Sequence, residues 1–210
     1  MKTGIFGGTF DPVHMGHLRV AQEFGETFGL DRVLMMVAGV PPHRQAPSTP
    51  AADRLKMLQL AVNNSTLLEP SDMELSRKGP SYTLDTIRQV SKEVGGSIPY
   101  LALGVDAYME IGTWYKPGDV LAEAHIAVLT RPGFKVDLVS PISPDYSGGY
   151  REQGDVLVNR SGATIRTVQV TSLDVSSTMI RNLAEKGKSI RYLVPEAVFE
   201  YIQQKGIYAP

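Results

Sequence analysis

Short apolar runs alternate with amphipathic stretches along the whole chain, and that alternation limits the fold more than any other feature. Residues 3–6 read as a buried strand stopped by Gly7-Gly8. Residues 17–28 read as a helix with Leu18, Ala21, Phe24 and Phe28 on one face. Residues 32–37 are a second strand, with Met35 and Met36 as strand core. Residues 39–50 hold four prolines and form a loop. Helical spacing returns at 53–62 (Leu55, Leu58, Val62) and at 82–94 (Leu84, Ile87, Val90, Val94). Strands follow at 99–103, 125–129 and 164–170, and helices at 177–186 and 195–203. Strand and helix in repeated alternation imply an α/β fold, a central parallel sheet with helices on both faces. Such sheets bind ligands beyond the carboxyl ends of their strands. Residues 134–162, rich in Pro, Gly, Ser and Asp, read as an excursion, so residues 1–210 are expected to form a single domain.

Composition narrows the class. At 210 residues, with 42% hydrophobic and 20% charged positions, the chain can bury a full core and is not disordered. Twenty-one Lys and Arg against 22 Asp and Glu give a net charge of -1. That balance points to neither a nucleic-acid nor a membrane-surface partner, although a local basic pocket is allowed. The opening MKTGIFGGTFDPVH does not read as a signal peptide, and the longest apolar runs are about eight residues where a membrane span needs about twenty. With no cysteine, disulfides, thiolate metal sites and cysteine nucleophiles are excluded. A cytoplasmic protein is expected. Its oligomeric state stays open, and a homo-oligomer is compatible with the sequence.

The first strand runs directly into Gly7-Gly8-Thr9-Phe10-Asp11-Pro12-Val13-His14-Met15-Gly16-His17. A strand, a glycine-containing loop and a helix start make a phosphate site, because free N–H groups and the helix dipole favour an anion. Gly16, lacking a Cβ, lets a phosphate approach the backbone. His14 and His17, three apart, can point the same way and donate to phosphate oxygens. Taken alone, the pair can equally be a cap and a surface residue. A zinc site would need a third ligand, and neither HExxH nor cysteine supplies one, so no protein metal site is expected. Neither a Walker A loop nor G-x-G-x-x-G is present. Near the C-terminus, Ser176-Ser177-Thr178-Met179-Ile180-Arg181 opens a helix and can hold a second anion, with Arg181 as a bidentate donor. The alternative is ordinary capping by Ser176.

The eleven-residue string GGTFDPVHMGH resembles the signature of the nucleotidyltransferase superfamily with the HxGH motif, and Ser176–Arg181 is similar to its S-S-T-x-I-R motif. Further segments resemble the nicotinate-nucleotide adenylyltransferase branch. Pro41-Pro42-His43-Arg44 is similar to its P-P-H-K string, with Arg44 replacing the lysine. Ser81-Tyr82-Thr83-Leu84-Asp85-Thr86 is similar to S-Y-T-x-D-T; Ser81 could alternatively be a plain helix cap. Gly104-Val105-Asp106 matches G-x-D, and Trp114, the only tryptophan, lies eight residues on. Between them, Met109-Glu110-Ile111-Gly112 is more polar than the family pattern. Arg131 matches a string after a strand, whereas His125 reads as structural.

The resemblance implies a Rossmann-like nucleotidyltransferase fold with a five- or six-stranded parallel sheet. It also implies adenylyl transfer from ATP to nicotinate mononucleotide, with magnesium arriving on the triphosphate. Carried over residue by residue, His14 and His17 face the α-phosphate and Arg181, Ser177 and Thr178 the outer phosphates. Gly7, Gly8, Thr9, Phe10, Gly16, Gly104, Asp106 and Ser176 complete the ATP site, with Asp106 on the ribose. His43, Arg44, Thr83, Trp114 and Arg131 fall to nicotinate mononucleotide, with Trp114 stacked on the cationic ring. Two rivals are an adenylyltransferase of the same fold using nicotinamide mononucleotide or phosphopantetheine, and a nucleotide-binding regulatory module without turnover. SYTLDT and Trp114 argue against phosphopantetheine, and the intact histidine pair and Arg181 against the module.

Overall fold

The computed structural model describes residues 1–39, 47, 49–77, 79–131, 133, 134, 136–142 and 149–209. In chain order the elements are β1 (Thr3–Gly8), α1 (Met15–Phe28), β2 (Arg32–Val37), α2 (Ala51–Val62), β3 (Leu68–Ser71), α3 (Thr83–Glu93) and β4 (Tyr100–Gly104). There follow α4 (Val105–Met109), a 3-10 turn (Ile111–Thr113), α5 (Pro117–Glu123), β5 (His125–Thr130), β6 (Tyr150–Gln153), β7 (Val156–Asn159) and β8 (Thr164–Gln169). Helices α6 (Ser177–Glu185) and α7 (Glu196–Lys205) close the chain.

The strands form one sheet in the order β3-β2-β1-β4-β5-β8-β7-β6. Strand β4 is parallel to β1 and β5, and β5 is parallel to β8. The expected central parallel sheet is present, and two strands beyond the five or six expected extend it, β7 antiparallel to β8 and β6 antiparallel to β7. These two strands lie within the predicted excursion. A two-residue connection with Gly154 at φ +64° reverses the chain, which a glycine adopts without a Cβ clash. Their alternation is short and mixed with charge (YREQ, VLVN), so period-2 patterning is faint.

The chain divides into two compact units. One comprises residues 1–6, 23–33 and 82–171, the other residues 7–22, 34–81 and 172–210. In the first, Leu101, Leu103, Ile126, Val128 and Ile165 are buried from β4, β5 and β8, and Leu84, Ile87 and Val90 from α3. In the second, Met35 and Met36 of β2 are buried as strand core, with Ile180 of α6 and Val198 and Ile202 of α7. Helix α2 departs from expectation. Its buried positions are Arg54, Met57, Leu58 and Val62, and Leu55 is only half-buried. An arginine displaces a leucine from the inner face because backbone carbonyls are there to receive it.

Candidate functional site

In the second unit, β1 ends at Gly8, whose carbonyl accepts the N–H of Ala38 at 2.9 Å. The loop to α1 is buried: Phe10 is 1%, Asp11 4% and His14 6% exposed. Phe10 holds φ +51°, and a Cβ on Gly8 would lie 2.8 Å from its ring. Gly8 is therefore fixed by packing, whereas a Cβ on Gly7 would meet open space.

The two histidines lock one another. Their rings stack with centroids 3.6 Å apart and planes at 23°. The N–H of His14 donates to Nδ1 of His17 at 3.3 Å, and the N–H of His17 donates to Nδ1 of His14 at 3.3 Å. Both Nδ1 atoms are acceptors, so each neutral ring carries its proton on Nε2. Phe10 meets the His17 ring edge-on at 5.1 Å. Burial holds the His14 pKa down to about 4. Burial, and then the neighbouring His14, hold that of His17 down to about 3. The pair is thus two neutral donors. A Cβ at Gly16 would sit 3.1 Å from the His14 ring and 3.0 Å from Val175. The glycine therefore makes room for the histidine, a packing reason beside the close-approach one expected from sequence.

The expected row of free N–H groups at the start of α1 is shorter than predicted. The N–H of Met15 reaches the Leu193 carbonyl at 3.0 Å, and that of Leu18 the His14 carbonyl at 3.3 Å. With His17 engaged as above, Gly16 alone in this turn offers an N–H without a partner among the described residues. At α6, Ser176 does cap, its Oγ accepting the Met179 N–H at 3.2 Å. The N–H groups of Ser177 and Thr178 remain without partners among the described residues.

Hydrogen bonds join the two strings. Ser177 Oγ donates to the Pro12 carbonyl at 2.9 Å, and Arg181 donates to the Asp11 carbonyl at 2.7 Å and to Thr178 Oγ1 at 3.3 Å. Beneath them lies a residue that sequence reasoning missed. Arg54, 3% exposed, donates to the carbonyls of Thr9 at 2.7 Å, Ala38 at 3.1 Å and Thr49 at 3.2 Å. Burial draws its pKa down against the attraction of Asp11 and Tyr208. The signal was present: 54, 58 and 62 lie on one helix stripe, with a charge in the first place.

In the first unit the remaining residues stand open. Gly104 ends β4 and is exposed, with room for a Cβ. Asp106, in the first turn of α4, is exposed, and its carboxylate has no partner among the described residues. Trp114 is half-buried on extended backbone (φ -73°, ψ 163°) after the 3-10 turn. Arg131 is exposed just beyond β5. Thr83 opens α3 after Tyr82, which stands at the N-cap without a side-chain cap. Ser81 is not the cap; its hydroxyl donates to the Glu74 carbonyl at 3.2 Å. The N–H groups of Asp85 and Thr86 both reach the Tyr82 carbonyl, leaving those of Thr83 and Leu84 without partners among the described residues. His125, read as structural, bonds Thr164 Oγ1 through Nδ1 at 3.0 Å. His43 and Arg44 lie outside the described residues.

Known proteins resemble this chain. A family model described as cytidylyltransferase-like matches residues 5–183. A Geobacter sulfurreducens protein named "Probable nicotinate-nucleotide adenylyltransferase" is 42% identical over 213 residues, covering 100% of this chain and 99% of the relative. A Pseudomonas fluorescens protein of the same name is 41% identical over 209 residues, covering 99% of this chain and 97% of the relative. Among solved structures, Plasmodium falciparum nicotinic acid mononucleotide adenylyltransferase complexed with NaAD gives a TM-score of 0.74 at 18% identity, covering 99% of this chain and 98% of that one. That likeness speaks for the fold, which is the Rossmann-like nucleotidyltransferase fold. The chain belongs to the cytidylyltransferase-like family and, within it, to the nicotinate-nucleotide adenylyltransferases.

Proposed function

We propose that the protein transfers the adenylyl group of ATP to nicotinate mononucleotide, giving nicotinate adenine dinucleotide and pyrophosphate. The observation that carries this is identity of 42% along the full length of a relative so named. The neutral histidine pair gives it a chemical basis. The mononucleotide phosphate is already an anion at neutral pH and attacks the α-phosphorus of ATP in line with the departing pyrophosphate. One P–O bond forms and one breaks, and no strong base is required. Catalysis is then positioning and charge stabilisation. The Nε2–H groups of His14 and His17 donate to the α-phosphate and bridging oxygens, with Gly7, Gly8, Thr9, Phe10 and Gly16 shaping the loop. Arg181, Ser177, Thr178 and the helix start capped by Ser176 take the outer phosphates. Asp106, beside Gly104, accepts from the ribose hydroxyls. Thr83 and the N–H groups at the start of α3 receive the nicotinate carboxylate, Trp114 stacks on the ring, and Arg131 assists the mononucleotide. His43 and Arg44 are assigned to it by resemblance alone.

Magnesium enters with ATP as part of the substrate. Among the described residues no group of three His, Asp or Glu is gathered for a metal. The donors of loop 9–17 and of 176–181 are N–H and O–H groups, which suit oxygen anions rather than a cation. Magnesium is commonly held by phosphate and water, and the protein's part is to orient the phosphates. The 210 residues act as one nucleotidyltransferase domain, working in the cytoplasm. Among the described residues no helix is long and apolar enough to cross a membrane.

The test is pyrophosphate release from ATP and magnesium with nicotinate mononucleotide or nicotinamide mononucleotide. Fast release with the acid and little with the amide is expected. Equal rates would remove the specificity. Silence with both, in folded protein that binds ATP, would overturn the reaction and favour the regulatory module.

A further inference from the structure

The loop that carries the histidines is held by the far end of the chain. Tyr208 lies just beyond α7, which ends in a left-handed turn at Gly206 with φ +63°. The Tyr208 hydroxyl donates to Oδ1 of Asp11, 197 residues away in sequence. The Thr49 hydroxyl donates to Tyr208 Oη at 3.1 Å, so the phenol proton is directed at the carboxylate. Arg54 ties the carbonyls of Thr49 and Thr9 together. Asp11 is held at both ends, its side chain by Tyr208 and its carbonyl by Arg181. Tyr208 itself has φ +61°, a conformation disfavoured for a tyrosine and kept only where surrounding contacts over-determine it. None of the phosphate-binding strings includes this tyrosine.

We infer that Tyr208 is a positioning residue for adenylyl transfer, acting through the buried Asp11 carboxylate to hold loop 9–14 in the shape that sets the tautomers of His14 and His17. The inference rests on the reaction assigned above. A buried carboxylate that loses a donor must find another, and the loop then moves with it. Displacement of reacting groups by about 1 Å can lower a rate about 100-fold.

The experiment compares wild type with Tyr208→Phe, which removes only the hydroxyl, and Thr49→Val, which frees the phenol to turn. Two readouts are taken: kcat and KM per folded molecule, and histidine tautomers from long-range 15N–1H NMR without substrate. For Tyr208→Phe, kcat is expected to fall about 10- to 100-fold, with KM for nicotinate mononucleotide within about twofold. The Nε2–H signature of His14 and His17, expected unmixed in wild type, becomes mixed. Thr49→Val shifts both readouts the same way by less and serves alone if Tyr208→Phe does not fold. Wild-type kcat per folded molecule in both variants would overturn the inference, even with a lowered Tm. So would a fall in kcat with unchanged tautomers. An inactive wild type would remove the reaction, while the tautomer spectra would still judge the link from Tyr208 to the histidines.

Discussion

The residues gathered around loop 9–17 and those at the ends of β4, β5 and the start of α3 differ in what they do before any ligand arrives. The first set turns its hydroxyl and guanidinium donors and both imidazole Nδ1 atoms on itself. His14 and His17 accept from each other's backbone, Ser177 and Arg181 reach the loop carbonyls, and Arg54 fastens the loop from below. The second set leaves Asp106, Arg131 and the first N–H groups of α3 without partners among the described residues. The difference matches two kinds of work. Donors to a charge that grows in the transition state must be fixed beforehand, since reorganising them would take back their benefit. Groups that recognise a ribose or a pyridine ring need only meet a stable molecule. Substitutions in the first region should therefore lower kcat, and in the second raise KM.

The largest effect is expected at His17. His17→Ala removes one preorganised donor and the stacking partner of His14, and turnover should fall by about 100- to 1,000-fold in steady-state assays. A rate near wild type would break the contrast at its strongest point.

Arg54→Met follows. It takes a donor from three carbonyls and removes a cation that attracts the buried Asp11. A loss of about 3 kcal/mol in unfolding free energy is expected, the lower end for breaking a buried charged contact. Denaturant titration would measure it. A change below 1 kcal/mol would mean that the loop keeps its shape without the guanidinium.

A smaller, opposite signature is expected in the open region. Trp114→Ala should raise KM for nicotinate mononucleotide about tenfold, and Asp106→Asn should do the same for ATP, with kcat within about threefold. Those are single-contact losses near 1.4 kcal/mol. A fall in kcat without a change in KM would show the two regions to be equally preorganised.

The same contrast explains what could be read from sequence. Glycine loops, helix starts and alternating apolar runs are local, so β2 appeared at its observed bounds, and the histidine and Arg181 strings stood out by residue type and spacing. The partners that fix those strings are not local. Tyr208 and Asp11 are 197 positions apart, and nothing in the final turn marks its tyrosine for the first loop. Arg54 was nearer to hand, but an apolar stripe through Leu55 outweighed a charge on an inner face. Helix α5 escaped notice because it spans only seven residues, too few to show a period against the polar residues around it. For Tyr208 and Arg54 a tertiary contact outweighed the local pattern, and for α5 the element is too short to show one.

The last expected effect is on stability against pH. An unfolded chain protonates its histidines near pH 6.5. In the folded protein, His14 takes a proton only near about 4 and His17 only near about 3. Between those values the unfolded state binds protons that the folded state refuses, so stability rises with pH. The contribution is complete above about pH 6.5 and is lost progressively as pH falls toward 4 and 3. His125, in the other region, is also held below its ordinary value by burial and adds a slope of the same sign. Carboxylates dominate below about pH 5, which leaves pH 5 to 6.5 as the informative window. There, Tm should climb with pH in wild type and climb less in His14→Gln/His17→Gln. Each kcal/mol corresponds to about 2–4 °C in a chain of this size. His125→Gln should flatten the curve by less, because one half-buried ring replaces a mutually crowded pair. Equal flattening by the two variants would mean that the histidine pair is no more tightly enclosed than a ring whose role is structural, and the contrast between the regions would then rest on hydrogen bonds alone.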